Sequence, residues 1–203
     1  MEQDFYYTID SPKRTQIKEK NSKFIASVSP IKNKSDASNF LDLIKSEFFD
    51  ASHHCYAYVL GTDGMEVRAF DDGEPNGSAG KPILFAINKY KFSDLIVVVT
   101  RYYGGTNLGK GGLARAYSDV SKNVLEICQP TKVNLTTRIR AYSTYEDLSV
   151  VKSLVSEYAV SFNEYYTDSV EIEADIPKSK VTIFQAKLTD LTAGRSGLMF
   201  LNT

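Results

Sequence analysis

The sequence predicts an α+β protein in two parts, an α/β part up to about residue 130 and a βαββαβ part after it. Three observations predict this. Asp94–Thr100 is a near-continuous Leu, Ile and Val run, as in a strand covered on both faces. After Pro130 the chain becomes cleanly periodic, alternating at two residues in strands and near 3.6 in helices. Ten of the twelve glycines fall between residues 61 and 112, and only Gly194 and Gly197 follow Pro130. The boundary is therefore placed at Gln129–Thr131, giving domains 1–130 and 131–203.

In the first part, Phe24–Ser29 reads as a strand stopped by Pro30. Ser35–Phe49 reads as a helix with Ala37, Leu41, Ile44 and Phe48 on one face. Cys55–Leu60 and Glu66–Phe70 form a hairpin turning at Gly61–Gly64. The turn-rich segment 71–80 leads into a short helix near Pro82–Lys89, and Asp94–Thr100 is the central strand. A glycine loop follows, and then a helix over Leu113–Ile127 with Leu113, Ala116, Val120, Val124 and Ile127 inward.

In the second part, Val133–Ala141 alternates as one half-buried strand, and Ser143 with Glu146 spells a capping box for a helix carrying Leu148, Val151 and Leu154 or Val155. A strand with Val160 and Phe162, a turn at Thr167 and Asp168, and a strand alternating Val170, Ile172, Ala174 and Ile176 with acids come next. A helix burying Val181, Phe184, Leu188 and Leu191 and a strand at Leu198–Leu201 complete the order of a ferredoxin-like sandwich.

Composition narrows the function classes. The 203 residues are 42% hydrophobic, with 24 basic against 25 acidic side chains, so a disordered chain and a basic nucleic-acid coat are both excluded. Two cysteines, Cys55 and Cys128, build no disulfide framework and fit no zinc spacing. The N-terminus lacks the pattern of a signal peptide, and the longest apolar stretch, Leu95–Val99, is far below the ~20 residues that span a bilayer, so the expectation is a cytoplasmic protein with no membrane partner.

Four segments carry candidate chemistry. RYYGGTNLGKGGLARAY, residues 101–117, puts a glycine loop between a buried strand and a helix start, where backbone N–H groups and the helix dipole favour an anion. It nearly spells a phosphate loop, but Gly111 stands where Ser or Thr should hold magnesium, and the Rossmann spacing fails too. Nucleotide binding, plain structural looping, and binding of a phosphate or carboxylate of a macromolecule by Arg101, Lys110 and Arg115 remain open. In DDGEPNGSAGKP, residues 71–82, Asp71, Asp72 and Glu74 read as a hard-metal or proton-sharing site or simply as turn residues, with Ser78 near a helix cap and Lys81 beyond it. His53 and Cys55 share a strand face, as a nucleophile and base or as core residues. Lys13–Lys34 holds seven bases against one acid, Glu19, as a solvated face or a phosphate contact. Tyr102 and Tyr103 flank the loop as stacking or packing groups.

DDGEPNGSAGKPIL (71–84) and VVVTRYYGGTNLGKGGLARAY (97–117), preceded by KNSKFIA (20–26) and HHCYAY (53–58), resemble the IMPACT family, also called the YigZ-like proteins. The resemblance covers about residues 15–130 and leaves 131–203 where bacterial members carry a ferredoxin-like domain. It implies a ribosomal-protein-like first domain similar to the fourth domain of elongation factor G, and a second domain similar to the fifth. Eukaryotic members regulate translation initiation by competing for the activator of a starvation-responsive initiation-factor kinase. No reaction is attached to the family, so the resemblance carries no catalytic residue and no cofactor. Tyr103 stands where many members have Phe, and Lys110 is not expected in all of them.

The resulting expectation is a non-catalytic, two-domain binding protein linked to translation. It contacts RNA, the ribosome or a translation-associated protein through Lys23, Arg101, Tyr102, Gly104, Gly105, Lys110, Gly111, Gly112 and Arg115, with Asp71, Asp72, Glu74, Ser78 and Lys81 in support and no metal or cofactor. The alternative is an enzyme acting on a small phosphorylated or peptide-like ligand near Asp72, Glu74, His53 and Cys55. That reading requires a closed pocket of about 300 Å³ or more. A third reading is a pure scaffold.

Overall fold

The computed structural model describes residues 4–62, 66–166 and 170–201. Gly64 of the expected hairpin turn, and the expected turn at Thr167 and Asp168, lie outside the described residues. The chain divides into two compact units, Tyr7–Lys132 and a second made of residues 4–6 with 133–201. The N-terminal residues thus go with the second unit, which a single cut along the chain does not anticipate.

The first unit is built on β2 (Lys13–Glu19), β3 (Ser22–Pro30), β4 (His53–Leu60), β5 (Glu66–Phe70) and β6 (Leu95–Tyr102), in the order β2-β3-β6-β4-β5. Every pairing is antiparallel. The central strand β6 is covered on both faces, which its unbroken apolar run requires. Val97 and Val99 pack with α2 (Gly80–Tyr90) and α3 (Gly109–Glu126), whereas Ile96 and Val98 pack with α1 (Lys34–Glu47). The two-residue period of β6 therefore decides which side of the sheet each neighbouring side chain reaches. β2 comes from the lysine-rich stretch that reads as a solvated face or extended arm. Its polar residues sit on an edge strand, and Ile17 alone packs onto the core.

The expected strand over Val133–Ala141 is two strands, β7 (Pro130–Asn134) and β8 (Thr136–Ser143). Leu135 breaks it because its hydrogen bonds leave the ladder: its N–H donates to the Asp4 carbonyl at 2.6 Å, and its carbonyl accepts from Lys178 N at 3.0 Å. β7 pairs with β1 (Phe5–Ile9), a strand the sequence does not announce, while β8 joins a separate sheet.

That sheet runs β11 (Gly197–Phe200), β8, β10 (Val170–Pro177), β9 (Ser161–Tyr166), with α4 (Leu148–Tyr158) and α5 (Val181–Leu191) completing a βαββαβ succession. Ile139, Ala141, Val170, Ile172, Ala174 and Ile176 form its core with Val151, Leu154, Phe184 and Leu188. Three sequence expectations fail locally. Asp147 rather than Ser143 precedes α4, with no side-chain cap bond, because its carboxylate is held by Arg195 at 2.6 and 3.0 Å. The strand expected to hold Val160 and Phe162 starts at Ser161, so that Val160 lies outside it. Leu191, in the last turn of α5, is exposed too.

Candidate functional site

The glycine loop leaves the end of β6, where strand alternation splits the expected site between two faces. Residues directly opposite in an antiparallel ladder share a face. Phe24 lies opposite Arg101, on the α3 side, and Lys23 lies opposite Tyr102, on the α1 side. Lys23 and Tyr102 therefore lie on the opposite face of the sheet from Arg101, which corrects their grouping with it in the expected site. The Tyr102 hydroxyl is engaged there, donating to Asp50 Oδ1 at 2.7 Å.

Arg101 is the second correction. Grouped by sequence with cations that neutralise phosphate, it is 4% exposed, and its Nη1 donates to Glu74 Oε1 at 2.6 Å. The same oxygen accepts from the Tyr117 hydroxyl at 2.7 Å. Cys55 Sγ lies 3.3 Å from that hydroxyl and 3.0 Å from the Asp71 carbonyl. Burial pushes both the Cys55 thiol and the Tyr117 phenol far above their usual ranges. A thiol held protonated in this way is no nucleophile at neutral pH. Arg101 Nη2 reaches Ser22 Oγ at 3.3 Å, and that oxygen also accepts the Gly104 N–H at 3.2 Å. Glu74 thus reaches the glycine loop through Arg101 and Ser22.

The acidic segment serves its own backbone. The Asp71 carboxylate accepts from the N–H groups of Gly77, Ala79 and Gly80 at 2.8 to 3.0 Å, closing the turn over the start of α2. Burial works to raise the Asp71 carboxyl, but those N–H groups outweigh it and leave it below the usual range. Asp72 Oδ2 accepts from His54 N at 2.6 Å, and the Asp72 carbonyl accepts from His53 Nδ1 at 2.7 Å. Ser78 Oγ donates to the Pro75 carbonyl, and Lys81 is exposed. Among the described residues no three His, Cys, Asp or Glu side chains gather as a metal site needs. Of the residues that the alternative enzyme reading needs, Glu74 and Cys55 are buried among protein partners, whereas His53 and Asp72 are half-buried. A cavity of about 330 Å³ lies elsewhere, on the α1 face, lined by Ala37, Leu41, Tyr56 and Tyr58.

The loop itself is closed at one end and open along the rest. A Cβ on Gly104 would stand 2.1 Å from the Asn21 carbonyl carbon, so only glycine lets the loop lie on the β2–β3 turn. At Gly105, Gly109 and Gly111 an added Cβ meets nothing within 4 Å. The Tyr103 N–H donates to Ser52 Oγ, and the Gly109 N–H to Asn107 Oδ1. The amides of Lys110 and Gly111 have no acceptor among the described residues, and Leu108, the N-cap of α3, supplies no side-chain cap. Lys110 and Arg115 are exposed and carry no ion pair among the described residues, and Arg115 sits four residues beyond Gly111, on the same side of α3. Gly112, by contrast, turns toward the Leu108 side chain.

Residues 20–125 match the family model described as the Impact N-terminal domain. The chain belongs to the IMPACT family. Residues 144–195 match a second model, described as a domain of unknown function, DUF1949. The chain is 32% identical over 194 residues to "IMPACT family member YvyE" of Bacillus subtilis, covering 95% of this chain and 89% of the relative. It is 32% identical over 183 residues to "IMPACT family member YigZ" of Escherichia coli, covering 89% and 90%. A solved structure described as that of a hypothetical protein superposes with a TM-score of 0.69 at 30% identity over 98% of each chain. None of these names carries a catalytic activity. Among the described residues no helix is long and apolar enough to cross a membrane.

Two buried residues of this IMPACT-family site, Ser22 and Tyr117, go unassigned by sequence reasoning. Both stand inside the segments that carry the family resemblance, but a neutral hydroxyl gives no signal until the buried pair it joins is visible.

Proposed function

We propose that this chain is a non-catalytic binding protein linked to translation and its regulation, and that the open glycine loop with the start of α3 takes RNA phosphate, free or on the ribosome. The observation that carries this reading is the stretch from Gly105 to Arg115, where Gly105, Gly109 and Gly111 face open space, two amides lack acceptors, and Lys110 and Arg115 lack counter-ions among the described residues. Arg101, Glu74 and the 71–80 turn support that surface from within, and Lys23 and Tyr102 are left outside it.

The same reading takes the first domain, 1–130, as ribosomal-protein-like and similar to domain IV of elongation factor G. It takes the second, 131–203, as ferredoxin-like, in a protein of the cytoplasm. The strand order β11-β8-β10-β9 supports the ferredoxin-like assignment, and the family matches, which end at residue 125 and resume at 144, support the division.

The test is the affinity of the full chain for single-stranded RNA as a function of salt, in the wild type and in Lys110→Gln/Arg115→Gln. Loss of two phosphate contacts is expected to weaken binding and to make the log–log salt slope shallower by about 1.4. Unchanged affinity and slope would remove the reading. Arg101 is left intact because replacing it would disturb the fold rather than the surface.

A further inference from the structure

Resting on that reading, we propose that Tyr103 is the stacking residue of this surface, and that the nucleic acid it takes is single-stranded, with an unpaired base laid on its ring.

The ring contact with Arg101 points to Tyr103, the first residue after β6, rather than to Tyr102. Odd-numbered residues of β6 face α2 and α3, as Val97 and Val99 do. Arg101 continues that row, with its guanidinium carbon 5.3 Å from the Phe24 ring centroid, and also 5.3 Å from that of Tyr103. Phe24 is fully buried and meets Tyr117 edge-on at 5.1 Å, so the row starts in the core and ends at a tyrosine that is 54% exposed. The cation beneath that ring is fixed by Glu74 and Ser22, and the backbone beside it by the bond from Tyr103 N–H to Ser52 Oγ.

The Tyr103 hydroxyl, unlike that of Tyr102, makes no hydrogen bond among the described residues. Packing therefore fixes the ring from below, while much of its surface stays in water. Gly104 and Gly105 follow directly, the second with open space at its Cβ position, so the backbone of a strand stacked on the ring has room to run along the loop toward Lys110. An exposed aromatic ring at the start of a loop that leads to the unpaired Lys110 and Arg115 fits a base with its phosphates, since every base has a flat face. In a duplex those faces are hidden by neighbouring pairs, which selects an unpaired strand.

The chain contains no tryptophan, so Tyr103→Trp places a single reporter at the site. Its emission is expected to be quenched, saturably, by 15-mer oligouridylate or oligothymidylate and not by a 15-base-pair RNA duplex. Quenching by both oligomers assigns the ring to bases of either sugar, and quenching by oligouridylate alone assigns it to RNA; each supports the proposal. Tyr103→Phe should bind labelled oligomer like the wild type, and Tyr103→Leu roughly tenfold more weakly. If wild type binds the oligomer with a steep salt dependence while the Trp emission is unmoved and Tyr103→Leu keeps full affinity, the stacking proposal falls and the phosphate reading stands. Duplex bound as tightly as single strand also overturns the proposal. If wild type binds neither oligomer, both fall.

Discussion

The two glycine-rich segments of the first domain have opposite fates. Residues 71–80 are turned inward. Asp71 collects three backbone N–H groups, Glu74 is buried on Arg101 and Tyr117, and a Cβ on Gly80 would lie 2.5 Å from Phe70 N. Residues 103–112 are held at Tyr103 and Gly104 and by Leu108, which packs onto the core beside Gly112, whereas Gly105, Gly109 and Gly111 face open space. The acids and glycines of the first segment are there to hold a shape, and the glycines of the second leave a surface bare. Their connection is Glu74 to Arg101 to Ser22 to Gly104, which fixes the closed end of the open loop.

The largest effect should come from breaking that connection. Glu74→Leu leaves the Arg101 charge buried without a partner and is expected to cost about 3–5 kcal/mol in urea unfolding, whereas Glu74→Leu/Arg101→Met should recover much of the loss. Recovery would show that the pair sets loop geometry more than net stability. Next come the glycines. Gly80→Ala and Gly104→Ala should each cost about 1–3 kcal/mol by steric overlap. Gly111→Ala, in α3 with open space around it, should instead stabilise by about 0.5–1 kcal/mol, as an alanine in a helix does. Equal losses at all three positions would erase the distinction between the segments.

A smaller effect is expected from pH. The Asp71 carboxyl is lowered in the folded protein, so its contribution is present above the unfolded value of about 3.9 and is lost as pH falls through the folded value. Asp71→Asn should be less stable at pH 7 and should show a flatter decline than the wild type below about pH 4, read by thermal melts across that range. Smallest of all, Lys110→Gln and Arg115→Gln should change stability by less than about 0.5 kcal/mol, because neither side chain is engaged. A large loss at either would mean the open loop is structural too.

Much of this contrast was legible in residue order. The apolar run of β6, the alternation of Val170 to Ile176 and the glycine density at 104–112 announce strand, strand and loop on local grounds. What the sequence withheld depends on partners far along the chain. β1 and β7 exist because they pair with each other, and neither has a pattern of its own. Leu135 keeps the alternation of a continuous strand while its hydrogen bonds go to Asp4 and Lys178. Arg101 reads as a surface cation because arginine mostly is one. Only the buried Glu74, 27 residues away, reverses that, and the guanidinium it holds meets the Tyr103 ring, whereas Tyr102 bonds Asp50.

The most direct test of the open and closed segments is amide hydrogen exchange on the full chain, with and without single-stranded RNA. In the free protein, Gly77, Ala79 and Gly80 should exchange slowly, and Lys110 and Gly111 fast; added RNA should slow Lys110 and Gly111 while leaving the first three unchanged. Slowing confined to the α1 face around Lys23 and Tyr102, with Lys110 and Gly111 still fast, would contradict the account.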